Sequence, residues 1–294
     1  MISFFKKKSP CTAAAGLDDI TQTLAVPMVE LNGSGSCSAN SWHNSSLEVA
    51  SYTSLGTRNS QQDSIRFQGT DNSVVCAVCD GMGGLSGGER ASALVAEGIT
   101  QSLTEHAQSE NIPLEMGRAA LRLNEKVKSL RDDNDQKIEA GTTLTTVFIR
   151  DGHLFWCSIG DSHIYLFRNN RLEQLNIDHN LGVQLDQMVE EGTLTAEEAR
   201  NHPQREALTS YLGIRELTRI SGNQNPIPLQ KGDLLLQCTD GLYRSLPAQD
   251  LAEILEHADQ LDDAAKRLVE TALCVPGSHD NTSVALTRFN GNEE

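Results

Sequence analysis

No run of this chain approaches the ~20 apolar residues that a membrane helix needs, so the sequence offers no membrane-spanning helix. Cations are in deficit as well: 24 Lys and Arg stand against 40 Asp and Glu, a net charge of −16. That balance argues against a nucleic-acid or anionic-membrane surface, since both require grouped Lys and Arg. Pairing of His with Cys at zinc spacing is missing too. The seven cysteines are spread singly. Cys76, Cys79, Cys157, Cys238 and Cys274 lie in apolar segments and read as small core residues in a reducing compartment. Cys76 and Cys79 form a C-x-x-C, but residues three apart in a strand point to opposite faces, which argues against a redox or zinc pair. Phe4-Phe5 precede Lys6-Lys7-Lys8, the reverse of the charged-then-apolar order of a signal peptide. The expectation is a soluble, cytoplasmic protein without stable membrane insertion, because one short basic patch is not an anchor.

What is present suffices for a folded domain: 294 residues, 38% of them hydrophobic, predict one large domain with a tail. Residues 1–46 are rich in Ser, Ala, Gly, Thr and Asn without sustained periodicity and read as a flexible extension. The domain is expected over 47–294. Strands are expected at 47–55 and 73–79, followed by a helix over 87–107. Met116, Ala120, Leu123, Val127 and Leu130 recur at helical spacing and predict a second helix over 113–131. Strands at 142–149, 153–159, 162–168 and 172–175 follow. Arg150-Asp151-Gly152 and Arg168-Asn169-Asn170-Arg171 read as hairpin turns, and connections this short make the stretch antiparallel. Residues 178–225 are polar and irregular, with short helical signals at 185–191 and 195–201, and read as an insertion lying over the sheet. A strand at 234–239, helices at 248–257 and 261–273 and a closing strand at 283–289 complete an α+β layered domain.

Aspartate recurs at the edges of the β-forming runs. Asp80-Gly81 follows 74–79, Gly160-Asp161 follows 154–159, Asp240-Gly241 follows 234–239, and Asp280-Asn281 precedes 282–286. One such Asp-Gly is ordinarily a turn. Several at one end of a sheet repel one another unless cations sit among them, and hard oxygen ligands suit magnesium or manganese. The recurrence points to a metal site.

Arg58-Asn59-Ser60-Gln61-Gln62-Asp63, Asp80-Gly81-Met82-Gly83-Gly84, Gly141-Thr142-Thr143, Gly160-Asp161-Ser162, Thr239-Asp240-Gly241-Leu242 and Asp280-Asn281 stand in one order along the chain. Together they resemble the motif set of the PPM family, the metal-dependent type 2C serine/threonine protein phosphatases. His202-Pro203-Gln204-Arg205 and Tyr211-Leu212-Gly213 resemble the flap segment of its bacterial members. The match runs from about residue 47 to 289. The resemblance implies a four-layer α-β-β-α sandwich of two antiparallel sheets flanked by helices. It implies two manganese or magnesium ions held by Asp63, Asp80, Asp240 and Asp280 with the Gly81 carbonyl, and a third, weaker ion at Asp161. Arg58 matches the arginine that grips the substrate phosphate, and Asn281 supports the site beside Asp280. The implied partners are phosphorylated proteins, including those marked by a Hanks-type serine/threonine kinase, and the protein is expected to be a monomer.

The chemistry fits that assignment. Two cations roughly 3.5–4 Å apart lower the pKa of a shared water and align it with phosphorus, while a planar, bidentate guanidinium suits the phosphoryl oxygens. Direct attack by water is expected, with no phosphoenzyme. Three positions depart from the family pattern. Gln61 stands where many members carry Asn, which weakens the expected support of Asp63. Met82 replaces a histidine proposed as general acid in many eukaryotic members. His163 replaces a common arginine and reads as ordinary surface packing.

Rival readings are weaker. Gly81-x-Gly83 lacks the third glycine of a dinucleotide fingerprint, and Gly83-x4-Gly88 is followed by Glu89 where a P-loop needs lysine. Gly84-Leu85-Ser86-Gly87-Gly88 matches a serine-hydrolase elbow, with Asp240 and His279 as partners, but Ser86 lies several residues past the strand. A catalytically silent PPM-like domain that binds phosphoproteins is the alternative from another class. Its signature, loss of a metal ligand, is absent.

Overall fold

The computed structural model describes residues 37–84, 87–132, 134–277 and 279–291. The expectations for residues 1–36 and for Ser86 lie outside these. The chain runs β1 (Cys37–His43), β2 (Leu47–Ser54), β3 (Asp63–Gly69), β4 (Ser73–Met82), α1 (Gly87–Glu105), α2 (Ile112–Lys128), β5 (Gly141–Thr142), β6 (Leu144–Arg150), β7 (His153–Ile159), β8 (His163–Arg168) and β9 (Arg171–Gln174). It continues through α3 (Leu181–Glu190), α4 (Ala196–Arg200), β10 (Ser221–Gly222), β11 (Ile227–Pro228), β12 (Leu234–Cys238), α5 (Asp240–Tyr243), α6 (Ala248–Glu256), α7 (Leu261–Leu273) and β13 (Thr282–Phe289).

One antiparallel sheet has the order β1-β2-β13-β12-β8-β9, and the other β10-β7-β6-β4-β3, with β11 on β7 and β5 on β4. Helices α1 and α2 cover the outer face of the second sheet; α5, α6 and α7 cover the outer face of the first. The result is the expected α-β-β-α sandwich. Strand β4 shows why the layers form. Its Val74, Cys76 and Val78 enter the core between the sheets, while Val75, Ala77 and Cys79 pack beneath the helices. A continuous apolar run suits a strand covered on both sides, and the period of two divides it between two cores. Cys76 and Cys79 accordingly face opposite ways.

Helix α2 begins where the Asn111 side chain accepts the Leu114 N–H at 3.0 Å, and it buries Met116, Ala120, Leu123 and Val127 as the periodicity requires. Two hairpins turn through left-handed pairs: Asp151 and Gly152 at φ 51° and 72°, Asn169 and Asn170 at 52° and 58°. Such pairs match the twist of the strands they join.

Four features differ from the sequence reading. Strand β3 was not expected, because it is a short edge strand with only two large apolar side chains, Ile65 and Phe67. β7 and β8 lie in different sheets, and Gly160-Asp161-Ser162 carries the chain between them, a crossover the sequence reading did not identify. Residues 37–43, placed in the extension, pair with β2 along their full length and bury Trp42. Cys274 is exposed, not a core residue. Among the described residues no helix is long and apolar enough to cross a membrane.

Candidate metal centre

Asp63 opens β3 and faces Asp80 across the β3–β4 pairing, so one antiparallel pair brings two carboxylates to the same rim. Asp161 lies in the β7–β8 crossover, Asp240 opens α5 immediately after β12, and Asp280 precedes β13. The register puts them at one end of the sandwich. Cys238 at the end of β12 pairs with Val284 and with His163, and Leu144, next to the Thr145 that pairs with Val78, faces Ile159.

Hydrogen bonds fix this rim. Thr239 donates to Asp63 Oδ2 at 2.9 Å while its hydroxyl accepts the Ser283 N–H at 3.0 Å, joining β12 and β13 to β3. The Asp80 N–H donates to Thr143 Oγ1 at 2.9 Å, and the Thr142 hydroxyl returns a bond to the Asp80 carbonyl at 2.9 Å. The Asn281 amide donates to the carbonyls of Leu55 and Ser60 and accepts the Gln62 N–H at 2.8 Å, stapling the loop that carries Arg58. Gln61 does not loosen the site. It accepts the Asp63 N–H at 2.9 Å and donates to Thr53 and the Ser54 carbonyl. A Cβ on Gly81 would lie 2.1 Å from the Gly88 carbonyl oxygen, so glycine is required for α1 to approach β4.

Burial and mutual repulsion dominate the electrostatics. Burial pushes the Asp63 carboxyl up to about 7; hydrogen bonds from Ser283 and Thr239 oppose this, and Asp240 and Asp280 add to it. Asp80 is held well above the carboxylate range by burial and by Asp63, Asp240, Asp161 and Asp280. Asp161 rises to about 6 through burial and Asp240, against Arg244. Asp240 is also raised by burial, with Arg244 opposing.

Oδ1 of Asp63 and Oδ1 of Asp240 are buried without a hydrogen-bond partner. Bare buried carboxylate oxygens are costly, and a set of hard anionic oxygens raised by its own repulsion is the donor chemistry of a magnesium or manganese site. The residues present therefore fit divalent ions. Among the described residues, no three Asp, Glu, His or Cys side chains close round a single point. Two guanidiniums stand among the carboxylates instead. Arg58 reaches Asp280 Oδ2 at 2.5 Å, and Arg244 lies 3.1 Å from Asp240 Oδ2 and 3.5 Å from Asp161 Oδ2.

Sequence reasoning missed Arg244 and Thr239. The signal for Arg244 was its i,i+4 spacing from Asp240. The expectation for His163 was also wrong: it is buried, with Nε2 2.9 Å from Asp178 Oδ1 and Nδ1 2.6 Å from the Tyr165 hydroxyl. Its ring stacks on Tyr243 with centroids 3.7 Å apart. Met82 pairs with Gly141 at the end of β4 and brings no titratable group. Backbone hydrogen bonds moor the insertion beside the rim. The His179 N–H donates to the Gly160 carbonyl at 2.9 Å, and Leu212 exchanges backbone hydrogen bonds with Thr142.

The family described as protein phosphatase 2C matches residues 53–273. The protein phosphatase PhpP of Streptococcus pneumoniae is 29% identical over 248 residues, covering 83% of this chain and 98% of that protein. The solved serine/threonine phosphatase of S. agalactiae is 28% identical and superposes with a TM-score of 0.70 over 83% of this chain and 99% of its own. The catalytic domain of the serine/threonine protein phosphatase PstP, solved in complex with two manganese ions, is 28% identical with a TM-score of 0.63 over 84% and 99% of the two chains.

Proposed function

Because this chain belongs to the protein phosphatase 2C family and is a protein-serine/threonine phosphatase, we propose that its clustered aspartates hold the metal ions of that activity. Asp63, Asp80, Asp240 and Asp280, with the Gly81 carbonyl, hold two manganese or magnesium ions, and Asp161 serves a third, weaker one. The observation that carries this reading is the pair of bare buried oxygens, Asp63 Oδ1 and Asp240 Oδ1, within a group of carboxyls that raise one another's pKa. Bound ions supply an activated water and offset the charge of the phosphoryl group.

The chain's own residues do the rest. Arg58 is half-exposed at the rim and held by Asp280; its guanidinium is free on its outer side to take two phosphoryl oxygens of phosphoserine or phosphothreonine. Asn281 keeps the Arg58 loop against β2, which fixes the distance between the phosphate grip and the carboxylates. Thr239 orients Asp63 by donating to Oδ2, leaving Oδ1 for an ion. No serine, cysteine or histidine nucleophile is needed, so the reading is direct hydrolysis without a phosphoenzyme. The moored insertion forms one wall beside Asp161 and is the segment that meets the phosphoprotein. The substrates are proteins phosphorylated by a Hanks-type kinase.

The test is hydrolysis of p-nitrophenyl phosphate and a phosphothreonine peptide by metal-stripped protein, with and without millimolar manganese. Turnover is expected only with manganese, and Asp240→Asn is expected to lower kcat at least about 100-fold, the scale of losing one transition-state electrostatic partner. Full activity in Asp240→Asn, or turnover unaffected by chelation, contradicts the assignment.

A further inference from the structure

Arg244 is the side chain at the rim that the proposed chemistry does not use, and its contacts join two parts of the molecule. Its guanidinium lies 3.1 Å from Asp240 Oδ2 and 3.5 Å from Asp161 Oδ2. The Nη2 atom that faces Asp161 also lies 3.2 Å from Glu206 Oε2 in the insertion, while Nε faces Asp240. Glu206 belongs to a braced segment. Its neighbour Arg205 forms a two-point pair with Asp186 at 2.9 and 2.7 Å, and the Arg205 carbonyl accepts the Gly182 N–H at 2.7 Å. A displacement of Glu206 is therefore shared with α3.

We propose that Arg244 is a positioning residue that stands in for a metal ion at Asp240 and Asp161, and through Glu206 couples occupancy of those carboxylates to the placement of the insertion. The proposal rests on the metal reading above. The physical argument is competition between cations. A guanidinium and a divalent ion that share the same carboxylates repel each other, and the ion carries twice the charge. An ion held by Asp240 thus weakens the Arg244–Asp240 and Arg244–Asp161 pairs, and Arg244 keeps Glu206 as its remaining partner. Only a forked, planar cation can span three carboxylates at once, and lysine cannot.

Two consequences follow for metal-stripped protein. Removing the guanidinium in Arg244→Gln removes a competitor, so manganese binds more tightly by about three- to tenfold, the scale of one partly exposed ion pair. Cutting the insertion's tie in Glu206→Gln leaves the Arg244–Asp240 pair intact. It frees the segment, so amide exchange at Arg205 and Ala207, whose N–H groups are held by the His202 and Gln204 carbonyls, becomes faster than in the wild type without metal. Saturating manganese leaves the wild type its Arg244–Glu206 pair, so exchange there should stay slower than in Glu206→Gln.

The experiment is manganese titration calorimetry on wild type, Arg244→Gln, Arg244→Lys and Asp240→Asn, with hydrogen exchange of residues 195–210 in wild type and Glu206→Gln. Tighter manganese in Arg244→Gln together with faster exchange in Glu206→Gln supports the coupling, and Arg244→Lys is expected to behave like Glu206→Gln in exchange. Unchanged manganese affinity in Arg244→Gln overturns the stand-in role, and unchanged exchange in Glu206→Gln overturns the link to the insertion. Failure of the metal reading itself is separate: it appears as absent manganese binding in the wild type or unaltered binding in Asp240→Asn.

Discussion

Two carboxyls at the rim, Asp63 at about 7 and Asp161 at about 6, bind protons more tightly in the folded chain than in the unfolded one, where an aspartate titrates near about 3.9. The sign of the linkage follows. Their contribution to stability is complete below about pH 4 and is lost as pH rises through about 6 and about 7. The metal-free protein is therefore expected to melt at a lower temperature at pH 8 than at pH 5.5, and saturating manganese should remove most of that difference. A melting temperature that rises over this interval in both Asp63→Asn and wild type, without metal, would count against the repulsion at the rim. Asp161 was legible as an aspartate at a strand end, a local pattern, whereas Asp63 was legible only through the family resemblance, because its strand was not expected. Their bracing was not legible. Thr239 to Asp63 and Asn281 to the Ser60 carbonyl bridge chain separations that no local pattern reports, and Gln61 supports Asp63 where its departure from the family pattern suggested weaker support.

Among the elements, α1, α2, α6 and α7 and the strands β2, β4, β6, β7, β12 and β13 follow from periodicity and apolar runs. The elements that escaped are those whose stability comes from partners. β3 has only two large apolar side chains in its alternation, and β1 lies in a Ser- and Asn-rich stretch. β1 is held by its ladder to β2 and by Trp42, which is buried between the sheets and packs on Gly69, where a Cβ would lie 2.0 Å from the indole. β1 also lies outside the part of the chain that matches the family, residues 53–273. Trp42→Ala is expected to lower stability by about 3–5 kcal/mol, as for other buried aromatic truncations, measured by urea denaturation. A loss under about 1 kcal/mol would mean that β1 is an ornament on the sheet and not part of its core.

The molecule as a whole assembles three apolar layers, one between the sheets and one under each helical face, and directs its strand ends to a single acidic rim. The antiparallel α+β class was legible from short hairpin turns and grouped helices. The allocation of β7 and β8 to different sheets was not, because a Gly-Asp-Ser crossover looks like a turn in sequence. That crossover places Asp161 at the rim, where Arg244, at the end of α5, meets it and the insertion's Glu206. The most direct measurement is anomalous diffraction at the manganese absorption edge from crystals of the full chain equilibrated with manganese. The account predicts two strong peaks enclosed by Asp63, Asp80, Asp240 and Asp280. No peak there, or peaks bound only at other acidic surface residues, would contradict it.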